Sequence, residues 1–236
     1  AGAQSIRDGL RPLRELPVQA EQIQSLDQLA ETVAKAVERT APAGSPLNEA
    51  LSGTALGHPL HPPLTDVVIG AWTGAVALDW VGGKRGRPAA DQLVALGILA
   101  ALPTAAAGLN DWATLDRPTQ RLGLVHATAN VAATGLFATS WLARKAGRRS
   151  LGRSLALAGY GTVSIAAFLG GHLSFRRGVG VDHTAFLEAP EDWTAVADEG
   201  AVTESEPLLV EAAGAEIVLV RERGSLYAIL ERCAHQ

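Results

Sequence analysis

Residues 122–143, LGLVHATANVAATGLFATSWLA, decide the fold. They hold no Asp, Glu, Lys or Arg, over a length close to the roughly 20 residues with which a helix crosses a hydrocarbon core. Residues 64–81, 92–109 and 154–175 read the same way. The last two are also free of formal charge, while the first carries Asp66 and Asp79 near its ends with residues 67–78 uninterrupted. Short connections such as GGKRGRPAAD at 82–91 and RKAGRR at 144–149 make neighbouring spans antiparallel. Each span satisfies its backbone hydrogen bonds internally, as lipid demands. The expected fold is mainly α, an antiparallel bundle of four transmembrane helices, with a soluble all-α bundle as the alternative.

Composition agrees with this reading. Apolar residues make up 47% of 236 residues and mean hydropathy is +0.15, both high for a soluble domain. Charge is concentrated in residues 1–50 and 187–236, which is the distribution of polar flanks around a membrane core. The net charge of −4 gives no reason to expect a nucleic-acid partner. The only cysteine, Cys233, excludes an internal disulfide framework. The chain has no methionine and stops at Gln236, directly after the start of a motif, so a piece of a longer protein is expected. A cleavable secretory signal is not visible in residues 1–236, and any processed leader would be missing from them.

Residues 21–39, EQIQSLDQLAETVAKAVER, place Ile23, Leu26, Leu29, Val33 and Val37 three or four residues apart, predicting an amphipathic packing helix that APAGSP at 41–46 ends. Three parts follow: an extramembrane segment over 1–49, a membrane domain over 50–183 and a polar domain over 187–236. Gly70 and Gly74 form a GxxxG pair in the first span, and glycine and alanine recur in the others, which suits close helix packing.

Lys and Arg in short loops set orientation. One face holds Lys84, Arg85, Arg87, Arg144, Lys145, Arg148, Arg149 and Arg153; the other has Arg117, Arg121, Arg176 and Arg177. The first face is expected in the cytoplasm, with both termini and the tail outside it.

The histidines gather by topology. His58 and His61 precede the first span, His126 lies one turn into the third and His172 closes the fourth, so all four fall at one end of the bundle. Asp66, Asn110, Asp111 and Asn130 share that end. Ionisable or metal-capable groups at membrane depth are a functional-site hypothesis by default. One histidine on each of two facing helices can clamp a haem b, and Gly170 and Gly171 could make room for it. Zinc or copper is the alternative for a compact set of histidines with Asp111. The structural alternative makes His58 and His61 interfacial caps, while His126 and His172 bond neighbouring helices.

In the tail, residues 208–210, 217–220 and 226–230 read as short strands, with RERGS at 221–225 as a hairpin connection. Cys233-Ala234-His235 follows the last strand. By spacing alone C-x-H is either an incidental pair or a thiolate and an imidazole aimed at one cluster, as where two histidines replace two cysteines at a [2Fe–2S] centre.

Two resemblances bear on these motifs. DWTAVADEG at 192–200 and EIVLVRERGSLYAILERCAHQ at 216–236 resemble the opening half of a Rieske-type ferredoxin domain. The resemblance implies a [2Fe–2S] cluster with Cys233 and His235 as its first ligand pair; the second pair, C-x-x-H, has no counterpart in residues 1–236. Residues 50–183 resemble a four-helix membrane domain found fused to Rieske-type domains, through GTALGHPLHPPLTDVVIGAWTGAVALDW at 53–80, GLNDW at 108–112, GLVHATAN at 123–130 and GGHLSFRRGVGVDH at 170–183. That resemblance implies a fold and a domain partnership but no established chemistry.

The expected function is therefore a membrane-bound electron-transfer subunit. It would work with a redox partner protein or larger membrane complex, and with a histidine-ligated haem or a quinone at the bundle. No acid–base pair or nucleophile assigns an enzyme class. The alternatives are a structural anchor or assembly subunit and, less suited to four short spans, a transporter.

Overall fold

The computed structural model describes residues 9, 11–182, 184, 187, 192–204 and 206–232. The chain divides into two compact units, Ala1–Arg176 and Arg177–Gln236.

The first unit holds seven α-helices among the described residues: α1 (Arg11–Glu21), α2 (Asp27–Thr40), α3 (Pro46–Ser52), α4 (His61–Val81), α5 (Arg87–Trp112), α6 (Arg117–Lys145) and α7 (Arg149–Phe175). Helices α4 to α7 are long and apolar enough to cross a membrane. Prolines open α4, α5 and α6, where the missing N–H would have had no helical partner. Apolar side chains such as Leu99, Leu102 and Val131 point outward, 67%, 69% and 72% exposed, as a lipid-facing surface requires.

The amphipathic helix predicted over 21–39 is split. The chain turns through Gln24–Leu26 and α2 starts only at Asp27, so Ile23 and Leu26 lie off its stripe. The break has a physical cause: Arg121 of α6 takes both Asp27 oxygens, from Nε at 2.6 Å and Nη2 at 2.7 Å, and donates Nη1 to the Glu21 carbonyl at 3.0 Å. Leu16 and Ala20 of α1 pack against Leu122, Val125, Leu169 and Leu173. Ser45 caps α3, which docks through Asn110: Asn48 donates to its oxygen at 3.0 Å, and its own amide donates to Ser52 at 2.9 Å. These elements cap the end of the bundle where α4 and α6 begin.

Hairpins α4–α5 and α6–α7 repeat one plan. First-helix residues correspond at an offset of 65 (61 to 126, 72 to 137, 79 to 144), and second-helix residues at 62 (97 to 159, 108 to 170), because the second hairpin is three residues shorter around its turn, two of them in the connection and one at the end of α6. Burial follows the same registers: Val68, Trp72 and Ala75 match Ala133, Phe137 and Ser140, while Ala90, Val94, Thr104 and Ala107 match Gly152, Ala156, Ala166 and Leu169, and all are buried. Trp72 packs where a Cβ on Gly97 would lie 2.2 Å from its Nε1, and Phe137 packs likewise on Gly159, 3.0 Å from such a Cβ. Both hairpins run in the same sense, the pattern of parallel repeats related by an axis along the bundle.

In the second unit, Leu208–Ala212 (β1), Ala215–Glu222 (β2) and Ser225–Leu230 (β3) form an antiparallel sheet in that order. The 221–225 connection is the expected hairpin, pairing Glu222 with Ser225. Arg223 and Gly224 both have φ above zero, as a tight two-residue turn requires. Their backbone N–H groups donate to the Glu204 carboxylate at 3.0 and 2.7 Å.

Candidate functional site

The structure gives each of the four candidate histidines a different setting. His61, the first residue of α4, bonds its Nδ1 to the Thr104 carbonyl of α5 at 2.8 Å. His126, nine residues into α6, bonds its Nδ1 to the Ala166 carbonyl of α7 at 2.9 Å, and the Asn130 amide meets its Nε2 at 3.0 Å. The two are equivalent in the repeat. Each lies on a glycine: a Cβ would come within 2.6 Å of His61 Cε1 at Gly108, and within 3.0 Å of His126 Cε1 at Gly170. Gly170 thus accommodates an imidazole.

His172 stands in the last turn of α7 with Nε2 3.6 Å from Glu21 of α1, a contact that ties the N-terminal cap to the bundle. His58 is exposed, its Nδ1 beside its neighbour's carbonyl, Pro59 O, at 3.2 Å. Asn110 is buried and committed to α3, Asp111 is half-buried beside it, and Asp66 is exposed. Among the described residues, no three His, Cys, Asp or Glu side chains gather as a metal-binding group.

At the opposite end a polar cluster joins all four long helices. Arg144 of α6 has a fully buried side chain and binds Asp79 of α4 through both oxygens, Asp91 of α5 at 3.1 Å and the Ser140 hydroxyl at 3.1 Å. Arg149 of α7 reaches the same carboxylates, at 2.7 Å for Asp91 and 3.0 Å for Asp79. Paired in this way, the charges can be carried at the margin of a membrane core. Sequence reasoning placed these arginines among loop charges, and the matching carboxylates 65 and 53 residues away were the signal it passed over.

Residues 57–183, more than half of the chain, match the model of the family described as predicted membrane protein (DUF2231). The chain belongs to the DUF2231 family. Residues 192–236 match the Rieske [2Fe-2S] domain. No curated protein and no solved structure matches. The protein is thus a DUF2231 membrane protein carrying a Rieske-type iron–sulfur domain, and the DUF2231 match contains all four long helices and the four candidate histidines His58, His61, His126 and His172.

Cys233 and His235, the expected cluster ligands, lie outside the described residues. What is described leads up to them: β3 continues its ladder through Glu231, whose N–H donates to the Glu216 carbonyl at 2.9 Å. A Rieske-type centre takes two thiolates and two imidazoles. Residues 1–236 of this DUF2231 protein offer one thiolate, Cys233, with His235 two residues on, so they supply half of that donor set.

Proposed function

We propose that this protein is a membrane-bound electron-transfer subunit in which a Rieske-type [2Fe–2S] centre works with a redox site, haem or quinone, at the histidine end of the bundle. One observation carries the reading: a DUF2231 match over 57–183 and a Rieske match over 192–236 follow each other in one chain. The chain leaves the bundle at Phe175, the end of α7 that carries His172, and this is also the end where His61 and His126 lie. Cys233 and His235 would contribute to the cluster, which supplies one-electron chemistry when bound. The bundle would anchor it at the bilayer, where a partner protein, a larger complex or a lipid-soluble quinone exchanges electrons.

Lys84, Arg85, Arg87, Arg144, Lys145, Arg148, Arg149 and Arg153, in and beside the connections at 82–86 and 146–148, support a cytoplasmic position for the end opposite the histidines, with both termini and the Rieske-type domain on the other side. A second reading, a structural anchor with no cofactor in the bundle, draws on the bonds that His61 and His126 make to backbone carbonyls. A potentiometric titration of the full-length protein, followed by EPR and visible spectra, separates the two. Two redox components support the proposal, and a lone iron–sulfur signal leaves the anchor.

A further inference from the structure

The end of the bundle opposite the histidines sorts its charges by sign. Eight Lys and Arg lie there against two acids, Asp79 and Asp91, and residues 67–110 and 117–181 hold no other Asp or Glu. Arg144 and Arg149 bind both acids inside the bundle. The other six cations, Lys84, Arg85, Arg87, Lys145, Arg148 and Arg153, are exposed, and none pairs with a carboxylate among the described residues. The surplus of positive charge therefore faces outward with no acid among it. At the histidine end Asp27, Asp66, Asp111 and Asp116 offset the arginines, so the surplus belongs to one end only.

The repeat shows how this surface is built. At the offset of 62, Arg149 corresponds to Arg87, and Arg153 to Asp91. Asp91 turns into the buried network, whereas Arg153 of α7 lies over the Trp80 ring of α4, 5.3 Å from its centroid, and closes the α4–α7 seam from outside. Lys145, which corresponds to Trp80 at the offset of 65, lies over Trp141 at the same 5.3 Å. Neither Arg153 nor Lys145 donates a hydrogen bond among the described residues, so their N–H groups stay open to an anion. Trp80 is 66% exposed, and indoles at span ends sit at the level of lipid headgroups. The connections 82–86 and 146–148 are only five and three residues long, which keeps the cations at that level. Exposed Val81, Leu142 and Leu151 accompany them, as acyl chains below a headgroup require.

We propose that this end is a binding surface for anionic phospholipid headgroups, with Arg153 at the α4–α7 seam and Lys145 on α6 as its main phosphate contacts. Guanidinium and ammonium groups bind phosphate oxygens through charge-assisted hydrogen bonds. The depth of the two indoles and the shortness of both connections favour a lipid over an acidic protein. The surface is independent of the redox site proposed above.

The test reconstitutes full-length wild type, R153Q, R153K, K145Q, the triple variant K145Q/R148Q/R153Q and R176Q in bilayers of phosphatidylglycerol and phosphatidylcholine mixed in equal parts. Native mass spectrometry then counts the lipids each protein retains. Wild type should retain phosphatidylglycerol at least about fivefold over phosphatidylcholine, the selectivity of one cation at an anionic surface. R153Q and K145Q should each lower that preference at least about twofold, and the triple variant should bring it near the mixing ratio. R153K, which keeps the charge, and R176Q, at the histidine end, should retain it, with elution and thermal unfolding unchanged in all. Equal retention of the two lipids by wild type, or a preference that the triple variant keeps, overturns the proposal. Displacement of the lipid by an equal concentration of glycerol phosphate assigns the cations to a soluble phosphate and overturns the lipid. An acidic protein that co-elutes with wild type but not with the triple variant, while both lipids are retained equally, overturns it too.

Discussion

Trp72 and Phe137 stack with ring centroids 4.1 Å apart and planes 10° from parallel, and they occupy the same position in the two hairpins. Each is buried and lies over a glycine of its own hairpin, so the stack joins the halves of the repeat at the bundle's centre. Truncating Phe137 to Ala leaves a large cavity there and should cost about 3–5 kcal/mol. Gly97→Ala should also destabilise, because its Cβ would lie 2.2 Å from Trp72 Nε1, whereas Gly135→Ala, with nothing within 4 Å, should be neutral. Thermal unfolding of the detergent-solubilised protein compares the three.

Arg144 is the hub of a buried network with Asp79 and Asp91. Arg144→Ala would leave Asp79 and Asp91 to Arg149 alone and one buried Asp79 oxygen without its partner, and should cost up to about 3 kcal/mol. Because positions 79 and 144 are equivalent in the repeat, D79R/R144D should recover part of what either single reversal loses. A double-mutant cycle on unfolding free energies should give a coupling of about 0.5–3 kcal/mol, and additive losses would refute the pairing.

The N-terminal cap is held by Arg121, whose guanidinium keeps the Asp27 carboxyl below its usual range. A carboxyl lowered in the folded state stabilises it above the unfolded value, near about 3.9, and that stability is lost as pH falls through the folded value. Amide exchange in α1 and α2 should therefore stay slow from neutral pH down to about 4 and rise below it. Asp27→Asn should show the faster exchange already at neutral pH.

Reporter fusions test the orientation. A reporter active only in the cytoplasm should work when inserted at 82–86 or 146–148 and fail after residue 182. The reverse pattern would invert the bundle.

The four long helices were legible because charge-free runs of this length have few other uses, and each predicted span lies within an observed helix. So was the β hairpin at Arg223 and Gly224. The helices run further at their ends than hydropathy indicates, because Arg144, Arg149, Asp79 and Asp91 neutralise one another and can stay helical at the membrane margin. The break before Asp27 was hidden because the contact that causes it comes from Arg121, remote in sequence. The repeat was hidden too: in an alanine-rich background only a few residues carry it, such as His61 with His126, Gly70 with Gly135, Gly97 with Gly159 and Gly108 with Gly170. Topology brought four histidines to one end, but only hydrogen bonding separates the matched pair from His58 and His172.

Low-temperature EPR with nitrogen hyperfine resolution on the full-length protein in its native membrane tests the electron-transfer account most directly. A reduced [2Fe–2S] signal coupled to two histidine nitrogens is expected, lost when Cys233 or His235 is replaced. An iron–sulfur signal without nitrogen coupling, or a protein that holds no iron in that domain, would contradict it.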